Sequence, residues 1–346
     1  MKYICIALLL IVVSSCAKEL SSSPTEHFDV VKKIKPIKEI DLGEYDILRP
    51  TALLKYKDWY VFEDVSEGKS FKFLNMKTHK VNEAIDKGRG PFDIVGVCRT
   101  TIIDDSLCVF DFNQQKILVL DVDGDSVYVR KKNTKVQLEP ACFIDENRFI
   151  EVGVFYDSCM YRMINKDGEV ISRIPYPKNV SLSEFERHPQ NSIYMNTVFA
   201  ASPDKTKYAF GVMYVQMMGF GEIKGDSLTL DKVYEYAPIS IAELVPGDGY
   251  TRILPAKDNI KNAITAFGTE EYVFFVYSGS RYDDYDALGS CYLIYKWDGT
   301  PYMRLDVDDN VFETIYDKER NVLICLSYAP EAKLVEYDMT GIIDVD

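Results

Sequence analysis

Histidine is nearly missing from this chain, with His27, His79 and His188 the three in 346 residues. None stands at motif spacing from a cysteine or a serine, which disfavours a zinc site and a nucleophile–histidine triad. Gly-x-Ser-x-Gly is absent, and so is a phosphate-cradling glycine loop. Positive charge is also in short supply. Lys plus Arg number 40 against 54 Asp plus Glu, a formal net charge of -14. No basic face appears, so nucleic acid is disfavoured as a partner, because phosphate binding needs clustered cations. Cysteine is sparse and unpatterned. No C-x-x-C occurs, and Cys98, Cys108, Cys142, Cys159, Cys291 and Cys325 stand singly in or beside β-like runs. They read as buried free thiols and not as a disulfide framework. No apolar run reaches the ~18 residues that would mark a membrane-spanning helix.

What is present begins with a processing signal. Met1-Lys2 is a short positive region, and Tyr3 to Val13 is an apolar run too short to span a bilayer. Val13-Ser14-Ser15-Cys16 then resembles the lipobox of bacterial lipoproteins, which implies cleavage before Cys16 and lipid on its thiol. An ordinary secretory signal is the alternative. The expected division is residues 1–15 as signal peptide, 16–27 as a lipid-anchored tether rich in serine, and 28–346 as the fold. The membrane is thus an expected partner through the N-terminal lipid. The expected address is the cell envelope, at the outer membrane on its periplasmic or surface face, since Ala17 is not the aspartate that often retains lipoproteins at an inner membrane.

Beyond the tether the composition turns toward strands, with 24 Tyr, 18 Phe and frequent Val and Ile. One module recurs: an apolar strand, Asp or Asn, then a turn. Ile117 to Gly124, Tyr161 to Gly168, Tyr292 to Gly299 and Leu334 to Gly341 are its copies, and Phe71 to Thr78 is a weaker one without the glycine. A hairpin at Phe220 to Leu230, turning at Gly225, falls between the second and third. The turns recur at intervals near 44 residues, the period of a four-stranded propeller blade. Six turns predict an all-β, six-bladed β-propeller of four-stranded antiparallel blades, closed by the 28–48 region. A β-sandwich pair and a mixed α+β enzyme are the competing architectures. Short helices are expected at 183–186 and 256–264 only.

Candidate site residues cluster at turns. Gly88, Gly90 and Pro91 form the densest turn signal, read as an inter-blade loop whose glycines admit positive φ. That loop carries Arg89 and Asp93. Arg89 is expected to face the channel, either as a tie between blades or as a contact to an anionic ligand group. Arg281, Tyr282, Asp283, Asp284 and Tyr285 are read either as a solvated acidic loop or as the rim of a ligand pocket. The 236–255 stretch is a second candidate rim. Asp121-Val-Asp123-Gly-Asp125 has the opening spacing of a calcium loop but lacks the later glycine and glutamate, and reads as a hairpin turn.

Gly88 to Asp93, Ala201 to Phe210, Val276 to Gly279 and Ile294 to Gly299 together resemble the TolB-like six-bladed propeller lipoproteins of Gram-negative bacteria. Within this resemblance Ser202, Pro203 and Asp204 match the turn that opens TolB-type blades, with Lys205 in place of the usual glycine. Phe92-Asp93 likewise stands where the glycine-rich motif often ends in Gly-Glu. The resemblance implies a fold and an export route more than an activity. The expected function is a non-enzymatic binding or scaffolding module of the envelope for a protein, peptide or glycan. The alternative is a propeller-type hydrolase or lactonase, which would hold a metal or paired carboxylates in its channel. No cofactor is expected, and a divalent cation in the channel is left open.

Overall fold

The strands that run through the middle of each sheet carry the highest density of aromatic and β-branched residues, which suit a surface buried on both sides. Trp59-Tyr-Val-Phe-Glu-Asp64 and Tyr272-Val-Phe-Phe-Val-Tyr277 are buried along their whole length. A computed structural model describes residues 23–343 apart from 97, 104, 125, 136–139, 154–158, 177–193, 195, 238–240, 247–250, 285–287 and 329. The signal peptide, Cys16, the proposed helix at 183–186 and Tyr285 lie outside the described residues.

A 3-10 turn at Pro24–His27 leads into β1 (Val31–Lys33) and β2 (Lys38–Asp41), and a second at Gly43–Tyr45 follows. Three four-stranded antiparallel sheets follow. The first holds β3 (Pro50–Tyr56), β4 (Trp59–Asp64), β5 (Phe71–Asn75) and β6 (Val81–Ala84). The second holds β7 (Arg99–Ile103), β8 (Ser106–Asp111), β9 (Lys116–Asp123) and β10 (Ser126–Asn133). The third holds β11 (Pro140–Phe143), β12 (Arg148–Glu151), β13 (Tyr161–Asn165) and β14 (Val170–Ile174). A five-stranded sheet comprises β15 (Thr197–Ala201), β16 (Lys207–Val212), β17 (Met217–Lys224), β18 (Ser227–Leu228) and β19 (Lys232–Glu235). The hairpin of β20 (Ile241–Pro246) and β21 (Thr251–Pro255) is a separate two-stranded insertion. Then come β22 (Ala263–Gly268), β23 (Tyr272–Tyr277), β24 (Gly289–Lys296), β25 (Pro301–Asp317), β26 (Val322–Tyr328) and β27 (Ala332–Asp338).

Those last six strands, with β1 and β2, form one eight-stranded sheet. The count of six separate four-stranded blades is therefore corrected: four blade-sized sheets stand alone and the remainder is fused. The cause is β25. It pairs with β24 in its first half and with β26 from Val311 onward, so one unbroken 17-residue strand replaces a loop. The innermost strands meet in a closed cycle, β3 to β7, β11, β15, β22, β25 and back to β3. This gives the propeller-like arrangement. β2 adds antiparallel to β27, Lys38 opposite Glu336 through Asp41 opposite Lys333, so the N-terminal region covers the last sheet edge. The apolar cores lie between consecutive sheets. Leu107, Val109 and Leu118 pack with Val61, Phe71 and Phe73, and Ile40, Phe62 and Leu74 pack with Ile324 and Leu334. Residues 256–264 are not helical; a loop leads into β22, which begins at Ala263.

Candidate functional site

The first residues of each innermost strand lie beside the last residues of the second. Pro50 faces Asp64, Arg99 faces Phe110, Ala263 faces Tyr277 and Val311 faces Ser327. Connections into the innermost strands and hairpins between second and third strands therefore crowd one end of the ring, its mouth. Four of the innermost strands also shift register in their first rungs, between Pro50 and Ala52, Pro140 and Cys142, Ala263 and Thr265, and Val311 and Glu313. Such bulges re-aim side chains at the rims of closed sheets.

One of these bulges sets the orientation of Glu313. The Thr265 hydroxyl on β22 donates to its Oε2 at 2.9 Å. Burial raises the carboxyl to about 7, against the opposing effects of the Thr265 hydrogen bond and of the Arg99 guanidinium. Arg99 stands on β7, which does not neighbour β25 in the ring, so its field reaches Glu313 across the axis. A carboxyl that burial raises, the hydroxyl bonded to it and a guanidinium whose field reaches it thus lie toward the mouth. They can exchange hydrogen bonds with a polar ligand, and Glu313 can act as donor or acceptor.

The residues singled out in the sequence fall elsewhere. Arg89 is exposed and, among the described residues, makes no hydrogen bond or ion pair, so the buried tie expected of it is absent. Asp93 is a turn residue: its Oδ2 accepts the Gly90 N–H at 2.9 Å. Gly88 and Gly90 do not take positive φ. They are small because Asp93 comes close, and a Cβ on Gly90 would stand 2.5 Å from Asp93 Oδ2. Pro91 is exposed beside them.

The 281–284 loop lies on the connection from β23 to β24. Arg281 is exposed and paired with Asp283 at 3.2 Å, and Asp284 is exposed. Tyr282 packs edge-on against Tyr214, ring centres 4.9 Å apart. Lys261 donates to the Asp284 carbonyl, which fastens the loop to the segment entering β22. In the 236–255 stretch Tyr236 is interior, bonded to the Tyr295 hydroxyl at 2.8 Å. Ser202, Pro203 and Asp204 form a tight turn in which the Lys207 N–H donates to Ser202 Oγ at 3.0 Å, and Lys205 takes a φ of 57° where glycine is usual. Asp121 pairs with Lys57 at 3.0 Å, and Gly124 turns the β9–β10 hairpin as read.

The ties between sheets come from residues that sequence reasoning missed. Buried Lys116 on β9 donates to the Gly90 carbonyl at 3.0 Å and to that of Asp93. Asp111, fully buried at the end of β8, accepts the Val95 N–H at 3.2 Å and the Gln114 side chain at 2.8 Å. The same device serves the first sheet: Lys72 donates to the Asp46 carbonyl, and Asp64 accepts the Leu48 N–H at 3.0 Å. The available signal was a lysine in an otherwise apolar third strand, Phe71-Lys72-Phe73 and Lys116-Ile117-Leu118.

Among the described residues no group of three or more His, Cys, Asp or Glu could hold a metal ion. Glu313 has a hydroxyl and the field of a guanidinium around it, a donor set that does not fit a divalent cation.

No protein-family model matches the chain, and no curated protein matches it. Among solved structures it is similar to a member of the DUF4221 family from Bacteroides vulgatus, with a TM-score of 0.53, 10% identity, and coverage of 88% of this chain and 96% of that one. A calcium-binding protein, regucalcin, from Agrobacterium tumefaciens has a TM-score of 0.48 at 9% identity, covering 89% and 96%. A gluconolactonase from Xanthomonas campestris has a TM-score of 0.45 at 9% identity, covering 84% and 86%. The first likeness speaks for a β-propeller fold alone.

Proposed function

We propose that this chain is a binding module of the bacterial cell envelope, held to the membrane by lipid on Cys16, which takes a polar ligand at the mouth of its propeller. Glu313, Thr265 and Arg99 are its recognition groups, and the 281–284 loop with Tyr282 is one wall. The observation that carries this reading is Glu313, a carboxyl held near the mouth by the Thr265 hydroxyl at 2.9 Å and lying in the field of the Arg99 guanidinium. Hydrogen-bonded recognition of hydroxyls or amides suits a carboxyl with a hydroxyl and a guanidinium around it. Kinship with the TolB-like lipoproteins belongs to the same proposal, as does a peptide, protein or glycan as ligand.

A thermal-shift and calorimetric screen of oligosaccharides and short peptides tests it. A ligand whose binding weakens in both Glu313→Gln and Thr265→Val supports the module. Turnover of a lactone or ester by the native chain, lost on adding a chelator, would establish the hydrolase alternative instead. Mass spectrometry of the chain purified from bacterial membranes reads the anchor. Lipid on an N-terminal Cys16 is expected, and an unmodified N-terminus at another residue would remove the anchor from the proposal.

A further inference from the structure

The stretch from Asp29 to Lys38 is unlike the rest of this acidic chain. It carries Lys32, Lys33, Lys35 and Lys38 against one carboxylate, Asp29. It also holds three of the eight exposed large hydrophobic residues among those described: Val30 at 43%, Val31 at 51% and Ile37 at 59% exposure. Soluble surfaces rarely interleave apolar and cationic side chains in this way, whereas segments lying on anionic bilayers do.

Position adds a second argument. The 3-10 turn falls inside the stretch read as tether, and it is docked: Pro24 is buried, and Phe28 packs edge-on against Tyr295 at 5.1 Å. Thr25 shares a cleft of about 330 Å³ with Arg304 and Asp306 of β25. β1 pairs with the same residues, Val31 opposite Arg304 and Lys33 opposite Asp306, and the Arg304 N–H donates to the Val30 carbonyl at 2.9 Å. The point where the tether leaves the fold and the start of the basic stretch therefore lie together. Six residues separate Cys16 from Ser23, which limits that span to about 25 Å.

Neighbouring carboxylates are already engaged. Arg304 holds Asp306 at 2.7 Å, Lys33 holds Asp308 at 2.5 Å, and Lys333 holds both Glu39 and Asp309 at 2.8 Å. Lys32 donates to the Gly341 carbonyl at 2.8 Å. Lys35 and Lys38 make no ion pair among the described residues.

We propose that residues 29–38 form a lipid-contact strap. Val30, Val31 and Ile37 sit among the headgroups, Lys35 and Lys38 meet anionic lipid phosphates, and the outer rim of the eight-stranded sheet is turned toward the bilayer. The orientation rests on the reading of Cys16 as the lipid anchor; the affinity of the strap for anionic lipid does not.

Two arms keep these apart. In the first, the chain from Ala17, which keeps every described residue, is sedimented with vesicles of phosphatidylcholine alone or mixed with phosphatidylglycerol. Salt-sensitive binding to the mixed vesicles only is expected. Each lysine near an anionic surface strengthens binding about fivefold, so Lys35→Glu with Lys38→Glu should weaken it roughly twentyfold or more. Both side chains are exposed, so the melting temperature should not move. In the second arm, Ile37→Trp in the lipidated chain is reconstituted into vesicles containing brominated lipid. The new indole should be quenched, since the natural Trp59 and Trp297 are buried. Equal binding to both vesicle types, or no quenching with lipid present on Cys16, would overturn the strap and leave the anchor standing. A chain without lipid on Cys16 would overturn the anchor and the orientation, and the vesicle arm alone would then decide the strap.

Discussion

Thr265 on β22 and Glu313 on β25 are joined by a 2.9 Å hydrogen bond between two innermost strands of the ring. Each stands just past a register shift in its own strand. The pair fixes a carboxyl at the mouth and makes it the most informative single group in the molecule.

Its pH dependence follows from burial. The folded value of about 7 lies above the ordinary 4.5, so the folded state holds the proton more tightly. The stability this contributes is complete below the unfolded value and is lost as pH rises through about 7, an amount on the order of 1–3 kcal/mol. Glu313→Gln removes the titration. Its melting temperature should match the parent in mild acid and exceed it in mild base. A parent whose melting temperature falls no more than that of the variant across this window would refute the assignment.

The loop from Gly88 to Asp93 is held by Lys116 and not by Arg89. Lys116→Met leaves the Gly90 and Asp93 carbonyls and the buried Asp111 without their ammonium, at a cost of about 2–4 kcal/mol in urea unfolding. Arg89→Ala should stay within about 0.5 kcal/mol. The reverse order would restore Arg89 as the tie.

Gly90→Ala places a Cβ 2.5 Å from Asp93 Oδ2 and 2.9 Å from its Cγ. The expected loss is about 1–3 kcal/mol. Because the clash needs the Asp93 side chain, the double variant with Asp93→Ala should be less destabilised than the two single losses added together. Strict additivity would mean that the glycine serves another purpose.

The N-terminal region stabilises the fold in two steps. Deleting through Ser22 removes only residues before the docked turn, and the melting temperature should hold. Deleting through Asp41 strips β2 from β27 along with Phe28 and Ile40 from two cores. That chain should melt far lower or aggregate through the bared edge. Equal melting temperatures would contradict the pairing.

The six described cysteines are free and buried. Burial pushes Cys142 up to about 11 and Cys291 and Cys325 up to about 12, so the reactive thiolate is scarce at neutral pH. A thiol reagent should label the native chain slowly and find six thiols in denaturant without reductant, in a chain lacking Cys5 and Cys16. Two or fewer would reveal disulfides.

Much of the fold was legible because turns are local. Gly124, Gly168, Gly299 and Gly341, each closing a copy of the recurring module, and Gly225 in the hairpin between them all take φ between 56° and 80°. Where the glycine is missing, His79 takes a φ of 57° instead, bonded through Nδ1 to the Tyr45 hydroxyl at 2.7 Å. The fused sheet was not legible. Asp306, Asp308, Asp309 and Asn310 interrupt the apolar pattern between Pro301 and Asp317, yet β25 runs through them.

The sequence alone determined the period, the turn positions and the burial of scattered cysteines, since each depends on backbone conformation or apolar content within a few residues. Only the tertiary structure decided which polar groups meet. Lys116 reaches carbonyls 26 and 23 residues back, and Glu313 finds its hydroxyl 48 residues away on another innermost strand. Nothing in the local pattern distinguishes Glu313 from any other glutamate, because burial, the hydroxyl and the opposing guanidinium are all brought to it by closure of the ring.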